Sequence, residues 1–393
     1  MQMLQGLATA VETSRYAEKH PKLSYRYFGN QGLMVSEAGF GGYRVDVSVA
    51  EHRQALEHAL TSGINLIDTS ANYADGGSER LIGSVLAGLA KTGTIRREQI
   101  VIVSKAGYLQ GGNLSLSQKR KQTGNPFPEL VLVDSGMEHC IHPEFLADQL
   151  ARSMQRLQVN HIDCLLLHNP EYYLKWAKQN RIPAKVAQTE YLRRIQMAFQ
   201  YLEGEVQFGR IGCYGISSNT FPRPSADYER TDLAAIWNIA QALSDKHHFR
   251  VIEFPCNLFE PGAVTERNQP GERSLLEYAA DQNMTTLINR PLNAIQSDQL
   301  IRLAENVYDG NAAIQAQKFR ERVAKLDQGW NVKKLSHLAI RALRSSFGVT
   351  AVLVGMRKRE YVEDVLQELR QPCKAGDRKK AWAAIAGEAS TEK

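Results

Sequence analysis

Short apolar runs alternate with amphipathic segments along most of the chain, and this order restricts the fold more than any other feature. Each run has the length of a buried strand, and each is followed by a segment with helical periodicity. Strands separated by helices pair in parallel. No GxGxxG turn typical of an open, doubly wound sheet is present, so we predict an α/β fold with one closed, eight-stranded (β/α)8 TIM barrel. The eight runs are Val35–Phe40, Ile64–Ile67, Ile100–Ser104, Cys164–Leu167, Ile211–Ile216, Val251–Phe254, Thr285–Ile288 and Thr350–Val354.

The barrel is expected to carry terminal additions and long inserted loops. Residues 25–372 are predicted to form the single barrel domain, residues 1–24 an N-terminal extension, and residues 373–393 a polar C-terminal tail that is frayed from residue 375. Three stretches exceed a plain barrel: Tyr108–Cys140, Glu171–Gln188 and the helix-like Gln296–Trp330. The first two follow strands at the end where barrel active sites lie, so they are candidate pocket walls. The third is either another functional insertion or surface padding.

The composition disfavours several classes of protein. A net charge of +6, from 48 basic and 42 acidic residues, suits an anionic small ligand but makes no nucleic-acid footprint. The first 22 residues include several charged side chains and no long apolar stretch, so we do not expect a secretory signal. No apolar segment is long enough to span a membrane, so we do not expect a membrane partner. Five cysteines at unrelated spacings indicate free thiols in a reducing compartment, and we therefore expect a soluble, cytoplasmic protein.

Three different ionisable residues come directly after three consecutive apolar runs. Asp68 follows 65–67, Lys105 follows 101–104, and His168 follows 165–167. In a parallel barrel these strand ends meet at one mouth, so the three side chains are expected to lie close together. A metal site at His139, Cys140 and His142 is disfavoured because the spacing is crowded and no carboxylate partner is implied, and no metal is expected.

Four motifs in order resemble the aldo-keto reductase family, and the similarity runs from about Tyr27 to Leu369. The segment 63–73 reads GINLIDTSANY and is followed by GSE at 77–79, while 29–42 is similar to the opening strand of that family. The sequences VSK at 103–105 and LLHNP at 166–170 match the next two motifs. The resemblance implies a nicotinamide-dependent carbonyl reductase with the catalytic residues Asp68, Tyr73, Lys105 and His168.

The chemistry of these four residues agrees with that implication. Reduction of a carbonyl needs a proton donor at the oxygen, and a tyrosine has a pKa of about 10, too high for an efficient acid near neutrality. We expect the Lys105 ammonium to lower the pKa of Tyr73, with Asp68 holding the ammonium in place. His168 is expected to donate a hydrogen bond to the carbonyl oxygen. The non-catalytic alternative is a structural Asp–Lys ion pair beside an unrelated Tyr and His.

The resemblance also implies residues that bind the carboxamide of the cofactor, although two of them differ from the pattern of the family. The segment GISSN at 215–219 assigns Ser217, Ser218 and Asn219 to this contact, with Ser218 standing where the family has Asn. Glu253 stands where the family usually presents a Gln. A carboxylate accepts from the amide NH₂ but cannot donate to its oxygen, so the ordinary binding mode is altered.

The remaining cofactor contacts are expected at the last two strands. Arg290, in NRPL at 289–292, is either a pyrophosphate ligand or a buried ion-pair partner. In VGMRKREYVE at 354–363, Gly355 and Met356 would offer backbone N–H groups and Arg357 a charge for a 2′-phosphate. Arg357 favours NADP, with NAD possible, although it could equally be a rim charge.

Two other functions stay open at this stage. The altered residues Ser218 and Glu253 favour a nicotinamide-sensing binding or regulatory protein, whereas the complete set of four favours an enzyme that acts on a carbonyl or sugar. A barrel isomerase without a nicotinamide is the third reading. Neither the substrate nor the oligomeric state follows from the sequence.

Overall fold

The computed structural model describes residues 3–29, 31–296, 299–303 and 310–391. The strands within these ranges are β1 (Tyr25–Tyr27), β2 (Met34–Ser36), β3 (Ala38–Gly41), β4 (Leu66–Asp68), β5 (Val101–Ala106), β6 (Tyr108–Leu109), β7 (Val131–Asp134), β8 (Met137–His139), β9 (Ile162–His168), β10 (Ile211–Ser217), β11 (Phe249–Pro255), β12 (Thr285–Asn289), β13 (Asn293–Gln296), β14 (Gln299–Arg302) and β15 (Ala351–Val354).

The α-helices in the same ranges are α1 (Ala10–Lys19), α2 (Ala50–Thr61), α3 (Gly77–Lys91), α4 (Gly111–Gln122), α5 (Pro143–Leu157), α6 (Tyr172–Gln179), α7 (Ala184–Gln207), α8 (Leu233–Leu243), α9 (Gly262–Thr265), α10 (Leu275–Asp281), α11 (Gly310–Ala324), α12 (Leu335–Arg344), α13 (Arg359–Leu369) and α14 (Lys379–Thr391). Short 3₁₀ turns lie at Tyr73–Gly76, Arg97–Gln99 and Gln328–Trp330.

Eight parallel strands close into the predicted barrel, in the order β3, β4, β5, β9, β10, β11, β12, β15 and back to β3. Alternate residues of these strands fill the interior, among them Leu66, Val103, Leu166 and Val251, and all are buried. The other residues of the strands pack outward against the helices in a second, larger core. This two-sided burial explains why the strands read as continuous apolar runs.

The first predicted strand, Val35–Phe40, is two strands in the structure. Met34–Ser36 pairs antiparallel with Tyr25–Tyr27, and only Ala38–Gly41 enters the barrel. Phe28, Leu33 and Val35 join the interior core, so this hairpin covers the amino-terminal end of the barrel. An apolar run that continues from one strand into the next does not reveal the break between them.

The three insertions contain regular structure. Tyr108–Cys140 holds α4 and a three-stranded antiparallel sheet in the order β6, β8, β7. Glu171–Gln188 holds α6 and the first turn of α7. The expectation of a helix-like Gln296–Trp330 is correct for α11 but wrong for 299–302, which pair as β14 with β13; residues 297–298 and 304–309 lie outside the described residues.

Both terminal segments pack against the barrel. In α1, Tyr16 is buried and its hydroxyl donates to the Leu60 carbonyl at 2.6 Å. The expectation that residues 375–393 are frayed is wrong for Lys379–Thr391, which form α14 and bury Trp382 and Ile385. Among the described residues no helix is both long and apolar enough to cross a bilayer.

Candidate active site

The carboxyl ends of β4, β5 and β9 bring the predicted catalytic residues together. Asp68 and His168 are the last residues of β4 and β9, and Lys105 lies one residue before the end of β5. Tyr73 begins a 3₁₀ turn after β4, in which Ala74 and Asp75 take left-handed φ values of 48° and 50°. This strained turn places the phenol above the strand ends.

Lys105 joins the other members of the group. Its Nζ lies 2.5 Å from Asp68 Oδ1 and 3.4 Å from the Tyr73 hydroxyl, and it donates to the Thr69 carbonyl at 3.3 Å. It also lies 3.2 Å from Glu253 Oε2, so two carboxylates face one ammonium. Burial alone would lower the pKa of Lys105, but these carboxylates outweigh it and raise that pKa above its ordinary value. The lysine therefore stays charged.

The expected effect of Lys105 on Tyr73 is outweighed by other causes. Burial raises the pKa of Tyr73 above its ordinary value, and the Asp68 and Glu253 carboxylates act in the same direction. The ammonium lowers this pKa, but by less than burial raises it. The prediction of a lowered pKa is therefore wrong, and Tyr73 is a protonated phenol throughout the neutral range.

His168 is a neutral imidazole. Burial, followed by the charges of Lys105 and His139, lowers the pKa of His168 well below its ordinary value. Its Nδ1 lies 2.9 Å from the Ser70 hydroxyl oxygen. The Ser70 hydroxyl can donate its hydrogen bond either to that nitrogen or to Asn72 Oδ1, which lies 2.6 Å away. Since Nδ1 faces Ser70, only the tautomer with its proton on Nε2 can donate a hydrogen bond to a substrate carbonyl oxygen. The hydrogen bonding of Ser70 and Asn72 therefore influences which tautomer His168 adopts.

Only some of the residues predicted to bind the carboxamide lie beside the catalytic group. Ser217, the last residue of β10, is the register partner of Glu253, which lies two residues before the end of β11, beside the catalytic group. Ser218 is fully buried, and its hydroxyl lies 3.1 Å and 2.9 Å from the hydroxyls of Thr220 and Thr231. Asn219 is exposed, and its backbone N–H donates to Glu171 at 2.8 Å. The local hydrogen bonds of Ser218 do not favour the contact assigned to it.

The end of β12 supplies polar atoms that await a partner. Asn289 Nδ2 donates to Glu253 Oε1 at 3.0 Å, and the buried Asn289 Oδ1 has no hydrogen bond within the described residues, whereas Glu253 Oε2 faces Lys105 Nζ at 3.2 Å. Arg290 has a left-handed φ of 54°, pairs with Glu260 at 3.3 Å and leaves its buried Nε unpartnered among those residues. These acceptors fit the N–H groups of a carboxamide, and the guanidinium fits a phosphate.

The turn after β15 leads into the N-terminus of α13. Gly355 is exposed and faces open space, while the side chain of Met356 is fully buried, so only its backbone is free for a ligand. Arg357 is half-buried and makes no ion pair with any described residue. A free guanidinium at the start of a helix suits a phosphate group.

Aromatic side chains surround His168 and Tyr73. The Tyr108 ring lies 4.6 Å from the His168 ring, and Tyr172 lies 5.4 Å from Tyr108. Tyr43 stands edge-on to Tyr73 at 5.2 Å and is 65% exposed. Tyr108 and Tyr172 come from two of the predicted insertions, so those insertions do form part of the wall beside the catalytic group.

Sequence reasoning missed several residues of this site. Tyr43, Ser70 and Asn289 all touch its members, yet none was singled out. Each lies within or beside a motif that was examined, so position at a strand end was the available signal. His139 lies behind His168, with its Nε2 2.7 Å from the His168 carbonyl. The described residues contain no cluster of three metal-ligating side chains.

Comparison with known proteins decides the family. The model of the Aldo/keto reductase family matches residues 37–380, which is most of the chain. The chain belongs to the aldo/keto reductase family. Its membership confirms the resemblance carried by the four motifs and agrees with the closed barrel.

Curated relatives of this aldo/keto reductase are distant. An aldo-keto reductase of Bacillus subtilis (strain 168), YhdN, is 21% identical over 358 residues, 87% of each chain. D-threo-aldose 1-dehydrogenase of a Pseudomonas species is 31% identical over 159 residues, 39% of this chain and 46% of that protein. The matched part thus spans less than half the length of this second relative.

Solved structures share the fold. Glycerol dehydrogenase from Gluconobacter oxydans superposes with a TM-score of 0.60 at 18% identity, over 94% of this chain and 96% of its own. An aldo/keto reductase from Klebsiella pneumoniae, solved with NADP and acetate, gives 0.54 at 17% identity, over 92% and 94%. At these identities the likeness extends to the (β/α)8 barrel alone.

Proposed function

We propose that this protein is an NADP-preferring oxidoreductase, with NAD as the alternative, that interconverts an aldehyde or ketone with the corresponding alcohol or sugar. The carrying observation is the buried contact of Lys105 with both Asp68 and the Tyr73 hydroxyl at the barrel mouth. We assign the activity to the barrel of residues 25–372 and place the enzyme in the cytoplasm. Relatives and neighbours named for aldose and glycerol oxidation support a sugar or polyol substrate.

The cofactor would supply the hydride and accept it in the reverse direction. Ser217, Asn289 and Glu253 would hold its carboxamide, with Arg290, Arg357 and the backbone of Gly355 and Met356 near its phosphates. Ser218 and Asn219 complete the set predicted from sequence, although the geometry favours Asn289 over Ser218 as the amide partner. Arg357, which has no ion pair among the described residues, supports the preference for a 2′-phosphate.

Tyr73 would act as the acid in reduction. As the hydride forms the new C–H bond, the Tyr73 O–H bond breaks and its proton completes the alcohol. The charged Lys105 beside the hydroxyl stabilises the phenolate that remains, and solvent returns the proton. His168, neutral and held by Ser70, would orient the carbonyl oxygen.

The test is turnover of NADPH with aldehydes, ketones and sugars by wild type and Tyr73→Phe. We expect kcat to fall about 1000-fold in the variant, because a general acid contributes about 10²- to 10⁴-fold. Binding of NADPH should persist, since the ring remains.

Tyr27→Phe is the matched control, because Tyr27 is 66% exposed on β1 at the other end of the barrel. Undiminished turnover of Tyr73→Phe would reject Tyr73 as the proton donor. NADPH binding without turnover of any substrate by wild type would favour the nicotinamide-sensing function.

A further inference from the structure

Glu253 adds a second negative charge beside Lys105, whose positive charge is already paired with Asp68. Its side chain is 2% exposed and lies two residues before the end of β11, with Oε1 accepting from Asn289. Asp68 already contacts Lys105 at 2.5 Å, so the Glu253 carboxylate at 3.2 Å is a second anion on one cation. Among the described residues, no cation other than Lys105 forms an ion pair with Glu253. With both carboxylates ionised, these three residues carry a net negative charge.

We propose that Glu253 is a specificity-determining residue that makes the barrel mouth prefer the oxidised over the reduced form of the nicotinamide cofactor, and so favours alcohol oxidation. This inference rests on the function proposed above. The oxidised ring carries a positive charge and the reduced ring carries none. A buried carboxylate therefore stabilises one form and leaves the other almost unaffected.

The geometry of the catalytic group limits how far the ring lies from Glu253. Glu253 Oε2 is 3.2 Å from Lys105 Nζ, which is 3.4 Å from the Tyr73 hydroxyl. The substrate oxygen must reach that hydroxyl, and the two carbons that exchange hydride must approach to about 3–3.5 Å. These steps place the ring within roughly 14 Å of Glu253 at most, in a mouth where burial strengthens electrostatic interactions.

The proton balance of the mouth gives the preference a pH dependence. The ionisable groups that face Glu253 are Asp68, Tyr73, Lys105 and Cys164. Burial keeps Tyr73 and Cys164 protonated, because it raises the pKa of each above the ordinary value. Burial and Glu253 together also raise the pKa of Asp68, so Asp68 can keep its proton beside Glu253. A positive ring favours loss of that proton, and the preference should grow as pH rises.

The test compares the dissociation constants of NADP⁺ and NADPH by titration calorimetry at pH 7 and pH 9. We expect the ratio Kd(NADPH)/Kd(NADP⁺) at pH 9 to be about ten-fold smaller in Glu253→Gln than in wild type, equivalent to about 1.4 kcal/mol. The ratio should rise with pH in wild type and stay constant in the variant. Ionisation of the 2′-phosphate cancels in the ratio because both forms carry it.

Two further variants keep the result interpretable. Glu253→Asp retains the charge and should retain the preference. Glu203→Gln removes a carboxylate near the opposite end of β11, where Glu203 accepts from the His248 N–H, and should leave the ratio unchanged. If the ratios of wild type and Glu253→Gln agree within about two-fold at both pH values, the inference is overturned, while the proposed function still stands. Failure of wild type to bind either form would overturn the proposed function and the inference with it.

Discussion

At the scale of single residues, burial changes the chemistry of Glu171. This carboxyl group is 6% exposed, and its Oε1 accepts the backbone N–H of Asn219 at 2.8 Å. Its Oε2 is buried and has no hydrogen bond among the described residues. Burial raises the pKa of Glu171 from 4.5 to about 7. The folded protein therefore keeps this proton over a pH range in which the unfolded chain has lost it.

Stability should accordingly fall as pH rises through this range. Below pH 4.5 both states hold the proton, so the contribution of Glu171 is complete there, and it is lost as pH approaches 7. The loss is about 3 kcal/mol by pH 8. Glu171→Gln keeps an acceptor for Asn219 but cannot ionise, so its free energy of unfolding should lack this decline. Urea unfolding at pH 4.5, 6 and 8 measures it, and parallel pH curves for wild type and variant would contradict the expectation.

At the scale of secondary structure elements, buried ion pairs tie the N-terminal hairpin to the last helices of the barrel. Arg344 at the end of α12 is fully buried and pairs with Glu37 at 2.7 Å and with Glu368 of α13 at 2.8 Å. Arg26 of β1 reaches the other oxygen of Glu37 at 2.8 Å. Arg341 also bonds Glu368. These residues link β1, the junction between β2 and β3, α12 and α13.

Loss of the central arginine should destabilise the fold strongly. Arg344→Met leaves two buried carboxylates without their shared cation, and breaking such a pair costs about 3–5 kcal/mol. Arg152→Met is the control, since Arg152 is 45% exposed and pairs with Asp148 within α5. We expect the control to lose less than about 0.5 kcal/mol in urea unfolding. Equal losses in the two variants would show that the buried pairs do not stabilise this junction.

At the scale of the whole molecule, the C-terminal helix is part of the fold. Trp382 of α14 is fully buried, and its indole N–H donates to the Ser346 hydroxyl at 2.7 Å. Its ring lies 5.6 Å from that of Trp330, which is the last residue of the long insertion after β12. The chain terminus and this insertion therefore share one apolar cluster.

Removal of that indole should lower the stability of the entire barrel. We expect Trp382→Ala to cost about 3–5 kcal/mol, as large-to-small changes in a packed core do. Lys380→Ala, on the exposed side of α14, should change the free energy of unfolding by less than about 0.5 kcal/mol. Thermal unfolding of both variants measures the difference. If the Trp382→Ala protein were as stable as the Lys380→Ala control, residues 373–393 would be a tail that does not stabilise the barrel.

The sequence was sufficient for the features that depend on local patterns. Eight apolar runs predicted eight barrel strands, because burial on both faces of a parallel strand is visible in the strand itself. Asp68, Lys105 and His168 were placed at one mouth because each directly follows, or lies near the end of, such a run. Tyr73 was added by the family motif, and the structure places it within reach of Lys105.

Tertiary structure decided what depends on residues far apart in the chain. Glu253 was expected at a cofactor amide, and closure of the barrel in addition sets it against Lys105 and Asp68. The direction of the Tyr73 pKa followed from burial and from the Asp68 and Glu253 carboxylates, and its own segment reveals neither the burial nor Glu253 as a neighbour. The packing of α14 likewise depends on Trp330 and Ser346 from other parts of the chain. Local pattern determines which elements form, whereas burial and the sum of nearby charges exist only once the barrel has closed.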